Sequence, residues 1–158
     1  MTWSPTNYFF SHQARIDLPS GGTLKFLCPN IPDYYPVIYR VDEIGYETCN
    51  ANRSSAILQL DCSKIPNISL KITSIKLNPD HQIFKVGEFA YFIDTTNGTK
   101  ADLGSKKGGD CARSINPNKL KVFVHEYSYE TFKNWAKKSN DETYEEHQKH
   151  IRIGDARS

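Results

Sequence analysis

The sequence lacks a dominant charge: 20 Lys and Arg stand against 18 Asp and Glu, a formal net charge of +2, with the signs interspersed. That excludes the concentrated basic footprint of a nucleic-acid binder. No apolar run reaches the ~18 residues that a membrane span needs. The chain also lacks the charged-then-apolar start of a signal peptide. Two readings remain, a cytosolic protein or an ectodomain whose targeting ends lie outside this sequence.

Chemistry-bearing motifs are scarce as well. None of the four cysteines forms a CxxC, and no Cys/His cluster has zinc spacing. Gly108-Gly109 leads into Cys111 instead of opening a helix, so it is not a phosphate loop. Cys111 has no local base to activate it as a nucleophile. The paired acids Asp42-Glu43 and Glu145-Glu146 read as surface neighbours. His147 and His150, three apart on a helical tail segment, read as a solvated face; His12, His81 and His125 are scattered. The single methionine, Met1, and the absence of a Cys-His-Met run count against a blue-copper centre. No catalytic constellation, metal site or cofactor is expected, and the chain is not read as an enzyme.

What is present is β patterning. The stretch Tyr91–Cys111 leaves an apolar run, Phe89–Ile93, and passes through Asn97-Gly98, Gly104 and Gly108-Gly109 to the last cysteine. Alternating apolar residues mark further strands at Gln13–Leu18, Thr23–Cys28, Val37–Val41, Ile57–Cys62, Ser69–Leu77, Gln82–Val86 and Leu120–Val124. Pro19-Ser20-Gly21-Gly22 joins the first two as a hairpin or as strands in facing sheets. Trp3, Tyr8, Phe9 and Phe10 form an N-terminal arm that docks on the core, and Tyr46 and Cys49 fall in a polar loop. The expectation is an all-β, eight-stranded Greek-key barrel or sandwich over residues 1–127, with almost no helix. Residues 128–158 form a second, charged segment. It reads as a partly helical stalk or tail, with Ser139 and Glu142 as a capping box and Phe132 and Trp135 available for docking.

The cysteines, Cys28, Cys49, Cys62 and Cys111, are even in number and allow three connectivities, which the residues alone do not choose between. Three sequons occur, at Asn52, Asn67 and Asn97. Paired cysteines, sequons and turn-rich β patterning together favour an extracellular protein.

One resemblance runs across residues 3–124. An early Trp3 precedes Leu24-x-Phe26-x-Cys28-Pro29; Tyr34-Tyr35, Tyr39 and Val41-Asp42 follow. Then come Tyr46-x-x-Cys49, Leu60-x-Cys62, Phe84, Gly87, the strand ending at Ile93, Asn97-Gly98, Cys111 and Leu120–Val124. In order and spacing these resemble the ephrins, cell-surface ligands of the Eph receptor tyrosine kinases, and a divergent, invertebrate member among them. The resemblance implies a cupredoxin-like barrel without copper, with disulfides Cys28–Cys62 and Cys49–Cys111. It implies contact-dependent signalling in morphogenesis and axon guidance. It also implies membrane attachment, by a lipid anchor or a span, through a C-terminal segment not in this sequence. Asn97 is the foremost glycosylation site, followed by Asn52 and Asn67.

The loop that inserts into the receptor in that family corresponds to Ile75, Leu77, Asn78, Pro79, Asp80, His81, Gln82, Ile83 and Phe84. Here the apolar tip positions are Asn78 and Asp80, and the glycine and glutamate positions are His81 and Ile83. Two readings follow. Either the loop still enters an Eph receptor with Ile75, Leu77 and Ile83 as anchors, or the scaffold serves another adhesion or guidance receptor. A secreted metal protein of cupredoxin fold is the remote third reading.

Overall fold

The computed structural model describes residues 1–126 apart from 5, 12, 13 and 77. The strands are β1 (Arg15–Pro19), β2 (Thr23–Leu27), β3 (Val37–Val41), β4 (Ile57–Asp61), β5 (Asn67–Lys71), β6 (Phe89–Asp94) and β7 (Lys119–His125), with one helix, α1 (Glu43–Thr48). Single 3-10 turns lie at Tyr8–Ser11, Lys100–Asp102 and Gly109–Ala112. The tail segment 128–158, with Phe132, Trp135, His147 and His150, lies outside the described residues, as do His12 and Leu77.

Two sheets enclose the core. One has five strands in the order β1-β7-β6-β3-β4, and the other pairs β2 with β5. β1 runs parallel to β7, and the remaining pairs are antiparallel. Alternation decides the faces. Leu120, Val122 and Val124 of β7 are buried while Lys119, Lys121 and Phe123 face outward and keep partial exposure. Ala90 and Phe92 of β6 point the same way as the buried β7 set and meet Leu24 and Phe26 from β2 in one cluster. Phe26 lies edge-on to Phe92 at 5.1 Å across the sandwich.

The N-terminal arm completes this core. Trp3 N donates to Leu27 O at 2.9 Å and Leu27 N donates to Met1 O at 2.8 Å, so the arm runs beside β2. The buried Trp3 ring then lies 5.0 Å from Phe10 and 5.3 Å from Phe26. Aromatic pairs in such tilted and edge-on geometry add to the stabilisation from area burial alone.

The two disulfides are Cys28–Cys62 and Cys49–Cys111, the pairings that the resemblance implies. The first ties the end of β2 to the end of β4, and so one sheet to the other. The second ties the C-cap of α1 to the Gly109–Ala112 turn. They span 34 and 62 residues. Loops of that length restrict the unfolded chain by about 4 kcal/mol each in the chain-entropy account.

β1 and β2 sit in different sheets, the second of the two arrangements expected for the Gly21-Gly22 turn. Two local expectations differ. Residues 82–86 form no strand: Arg40 takes the Ile83 carbonyl and Gly87 turns the chain at φ +81°. That leaves seven strands among the described residues where the pattern suggested eight.

Residues 43–48 form α1 instead of a polar loop. Asp42 caps it, accepting from Gly45 N at 2.7 Å while Arg53 and Ser55 hold the same carboxylate. The Arg53 bond, ahead of the Gly45 bond, holds its pKa below the usual carboxylate range. Asp42→Ala removes the cap and is expected to cost about 1–2 kcal/mol in urea unfolding. An unchanged midpoint would show that α1 is held by the Cys49 disulfide alone.

Candidate functional site

The loop between β5 and β6 stands on a fixed base. Phe84 N donates to Thr73 O at 3.0 Å, closing the loop at its neck. The Phe84 side chain is 1% exposed and belongs to the core. Phe84 is therefore an internal anchor of the loop, and the little of it that is exposed lines the cleft beside Arg40. Its aromatic ring is too large and apolar to leave a core that closes around it.

Gln82 is also turned inward. Its amide exchanges hydrogen bonds with Gln59 on β4, at 3.1 and 2.8 Å, and accepts from Arg40 at 3.3 Å. The tip is a local turn. Asn78 Oδ1 accepts from Asp80 N at 3.0 Å, and Asn78 O accepts from His81 N at 3.1 Å. Asn and Asp favour such side-chain-closed turns. Ile75 and Ile83 are 68% and 42% exposed, and Asn78, Pro79 and Asp80 are exposed between them. His81 is half-buried. The loop thus leaves Ile75, Asn78, Pro79, Asp80 and Ile83 exposed, while Gln82 and Phe84 hold its base; Leu77 lies outside the described residues.

Sequence reasoning missed Arg40. Its guanidinium lies 4.1 Å from the Phe84 ring centroid and donates to Ile83 O at 2.9 Å. Burial lowers its pKa. A cleft of about 150 Å³ opens beside it, walled by Ile83, Phe84, Phe89, Ala90 and Val124. The available signal was an arginine within the apolar Val37–Val41 run. Ile57 and Leu58, exposed on the edge strand β4, were missed too, because a register shift in β3–β4 breaks their alternation.

A second polar cluster lies at the other end of β6. Asp94 is fully buried and accepts from Val37 N, Thr96 N and Thr96 Oγ1, at 3.3, 3.0 and 3.0 Å. Its Oδ2 has no hydrogen-bond partner among the described residues. Burial pushes its pKa up to about 7. Asp110 is raised by burial as well, although the Tyr34 hydroxyl donates to its Oδ2. Burial, followed by that same hydrogen bond, raises the Tyr34 phenol. The cluster joins the Tyr34-Tyr35 segment to the Cys111 turn and is closed to solvent at Asp94, so its role is structural.

All three sequon asparagines are exposed. Asn97 Oδ1 accepts from Thr99 N and Thr99 Oγ1 at 3.0 and 2.7 Å. Gly98 beside it is buried under the Tyr34 ring, where a Cβ would sit 2.2 Å from ring atoms. Among the described residues no group of three His, Cys, Asp or Glu could hold a metal ion, and no helix is long and apolar enough to cross a membrane.

Comparisons with known proteins converge on one scaffold. The family model described as Ephrin matches residues 1–124. A chain in the crystal structure of the human ephrin A2–ephrin A1 complex superposes with a TM-score of 0.58 at 17% identity, covering 79% of this chain and 95% of that one. No curated protein matches the sequence.

Proposed function

This chain belongs to the ephrin family, and from that premise we propose that it is a cell-surface ligand that binds an Eph receptor ectodomain through residues 75–84. The observation that carries the reading is the loop's construction: exposed Ile75 and Ile83 on a neck fixed by Phe84, Gln82 and Arg40. Aliphatic groups on a rigid support make good anchors, because little ordering entropy is lost on binding. Binding would serve contact-dependent signalling in morphogenesis and axon guidance. The protein would be extracellular, attached to the membrane through a C-terminal segment outside this sequence, by lipid or by a span. Asn97, Asn52 and Asn67 would carry glycans; Asn97 is the foremost of them.

A second reading rests on the tip. Exposed Asn78 and Asp80 replace the family's apolar insertion, and burying Asp80 without a partner charge is costly. The scaffold would then face a different adhesion or guidance receptor. Cell-surface binding separates the two. On the first reading Ile83→Asp weakens binding to Eph-expressing cells by about 30-fold, the effect of losing a hot-spot anchor. Truncation at Tyr127 leaves it unchanged. Parental binding by Ile83→Asp would overturn the loop reading, and loss on truncation would favour the tail.

A further inference from the structure

The geometry points to an acidic segment of the partner protein as the occupant of the face beside the loop, with one carboxylate entering the cleft onto Arg40. This inference rests on the ligand reading above and adds the chemistry of the partner.

Arg40 is a cation placed for a ligand. It lines the cleft, yet its only hydrogen-bond acceptors among the described residues are a carbonyl and a glutamine amide. No carboxylate of the described residues lies within 4.0 Å of it. A guanidinium with spare N–H donors in partly apolar surroundings binds a carboxylate more strongly than a solvated one does. Burial of the ring beneath it fixes its position, so an incoming acid pays little for reorganisation.

The surface that continues from the cleft has the same sign. Phe89 forms one wall of the cleft and also starts an aromatic row on the outer face of the five-stranded sheet. Phe89 meets Phe123 edge-on at 5.1 Å, and Arg15 and Lys121 stand over the Phe89 ring at 4.9 and 5.4 Å. Farther along, Lys119 Nζ lies 4.4 Å from the Tyr46 ring centroid. Lys85 and Lys121 have no carboxylate within 4.0 Å among the described residues. The acids on this face are Glu88, at the cleft, Asp17, which Arg15 and His125 already hold at 2.8 and 3.4 Å, and Glu43 and Glu47 at the far Tyr46–Tyr91 end. At the cleft end Arg40, Lys85, Arg15 and Lys121 outnumber Glu88 and Asp17, so the positive excess is local to the cleft.

The cleft decides the class of anion. Its apolar walls are Ile83, Phe84, Phe89, Ala90 and Val124, Arg40, Lys85 and Glu88 complete the lining, and its volume is about 150 Å³. A Glu side chain fits such a space, with its methylenes on the apolar walls and its carboxylate on the guanidinium. A sulfated polysaccharide would instead need several basic groups along an open track, whereas the cleft offers Arg40 and Lys85 with Glu88 among them. The exposed Ile83 at the rim would meet an apolar neighbour of that acid.

The test is a heteronuclear NMR titration of the whole chain with N-acetyl-Phe-Glu-amide and with N-acetyl-Phe-Gln-amide. The Glu peptide should shift the Arg40 Nε–H and the Ile83, Phe84 and Ala90 amides, and the Gln peptide should bind at least about tenfold more weakly. Arg40→Gln should abolish that preference while the remaining spectrum is retained. Glu88→Gln, which removes the opposing acid at the surface, should tighten binding of the Glu peptide; this arm holds even if Arg40→Gln fails to fold. Equal binding of the two peptides, or shifts elsewhere only, would overturn the inference. So would a heparin hexasaccharide that shifts the cleft residues where the Glu peptide does not. Because no receptor is used, this titration can fail while Ile83→Asp still weakens cell binding, and the reverse.

Discussion

Gly109→Ala is expected to destabilise the domain by roughly 3–5 kcal/mol, combining left-handed strain with overpacking against a backbone that has no room to yield. Gly109 sits at φ +61°, and a Cβ there would lie 2.3 Å from the carbonyl carbon and oxygen of Thr95 and 2.6 Å from Thr96 N. These are main-chain atoms just past β6, so no side chain can rotate away. The neighbouring bonds tighten the constraint: Asp110 N donates to Thr96 O and Asn118 N donates to Asp110 O, both at 2.8 Å. Relief would have to move the turn that carries Cys111, and with it the bridge to Cys49. The variant should therefore lower the urea midpoint steeply and should yield a fraction of chains with Cys49 and Cys111 unpaired on non-reducing peptide mapping. Gly104→Ala is the control. It lies in the same connection, has no positive φ and has open space around its Cβ position, so its stability should stay within about 1 kcal/mol of the parent. Equal losses from the two substitutions would mean that the connection is uniformly fragile and not pinned at Gly109.

The β patterning was legible because most strands have one face on the core. Leu120, Val122 and Val124, or Ile16 and Leu18, alternate as period two requires, and the arm was visible in its aromatics. Residues 82–86 alternate too, but the pattern there has another cause. Phe84 is buried as a plug under the loop, and the backbone partner a strand would need is replaced by the Arg40 side chain. Helix α1 was missed because it is six residues long, too short for a hydrophobic period to show. Its cap, Asp42, was readable only as an acidic neighbour of Glu43. At the candidate site the loop's position was legible from Phe84 and Gly87. The division of labour within it was not: which residues face inward depends on Thr73, Gln59 and Arg40, which come from other parts of the chain. Cross-strand contacts of that kind leave no local sequence signal.

Asp94 gives the second large effect, and its sign runs against the usual behaviour of acids. Its pKa in the folded protein is pushed up to about 7 by burial, and in the unfolded chain it returns to the ordinary carboxylate range. Below about pH 4 both states hold the proton and the fold carries no charge penalty. As pH rises past that point the unfolded chain releases its proton while the folded chain keeps it, so stability falls until pH 7 and then levels. A difference of about three units corresponds to roughly 4 kcal/mol across that window. Asp110, raised in the same direction, adds to the slope. Asp42 works the other way: its lowered pKa gives stability above the ordinary carboxylate range that is lost as pH falls through its folded value. Stability should accordingly be greatest in the mildly acidic range and decline toward neutrality. Asp94→Asn keeps an Oδ1 acceptor for Val37 N, Thr96 N and Thr96 Oγ1 but cannot ionise. Urea unfolding from pH 4 to 8 should show a much flatter profile for this variant, and greater stability than the parent at pH 8. A parent profile that is already flat, or that rises toward pH 8, would refute a buried neutral acid at this position. The two ends of β6 also separate the consequences. Asp94 lies near the Cys111 turn, whereas Phe89, at the start of the same strand, walls the cleft under the binding loop. The substitution should thus change stability while leaving recognition through residues 75–84 at the parental level.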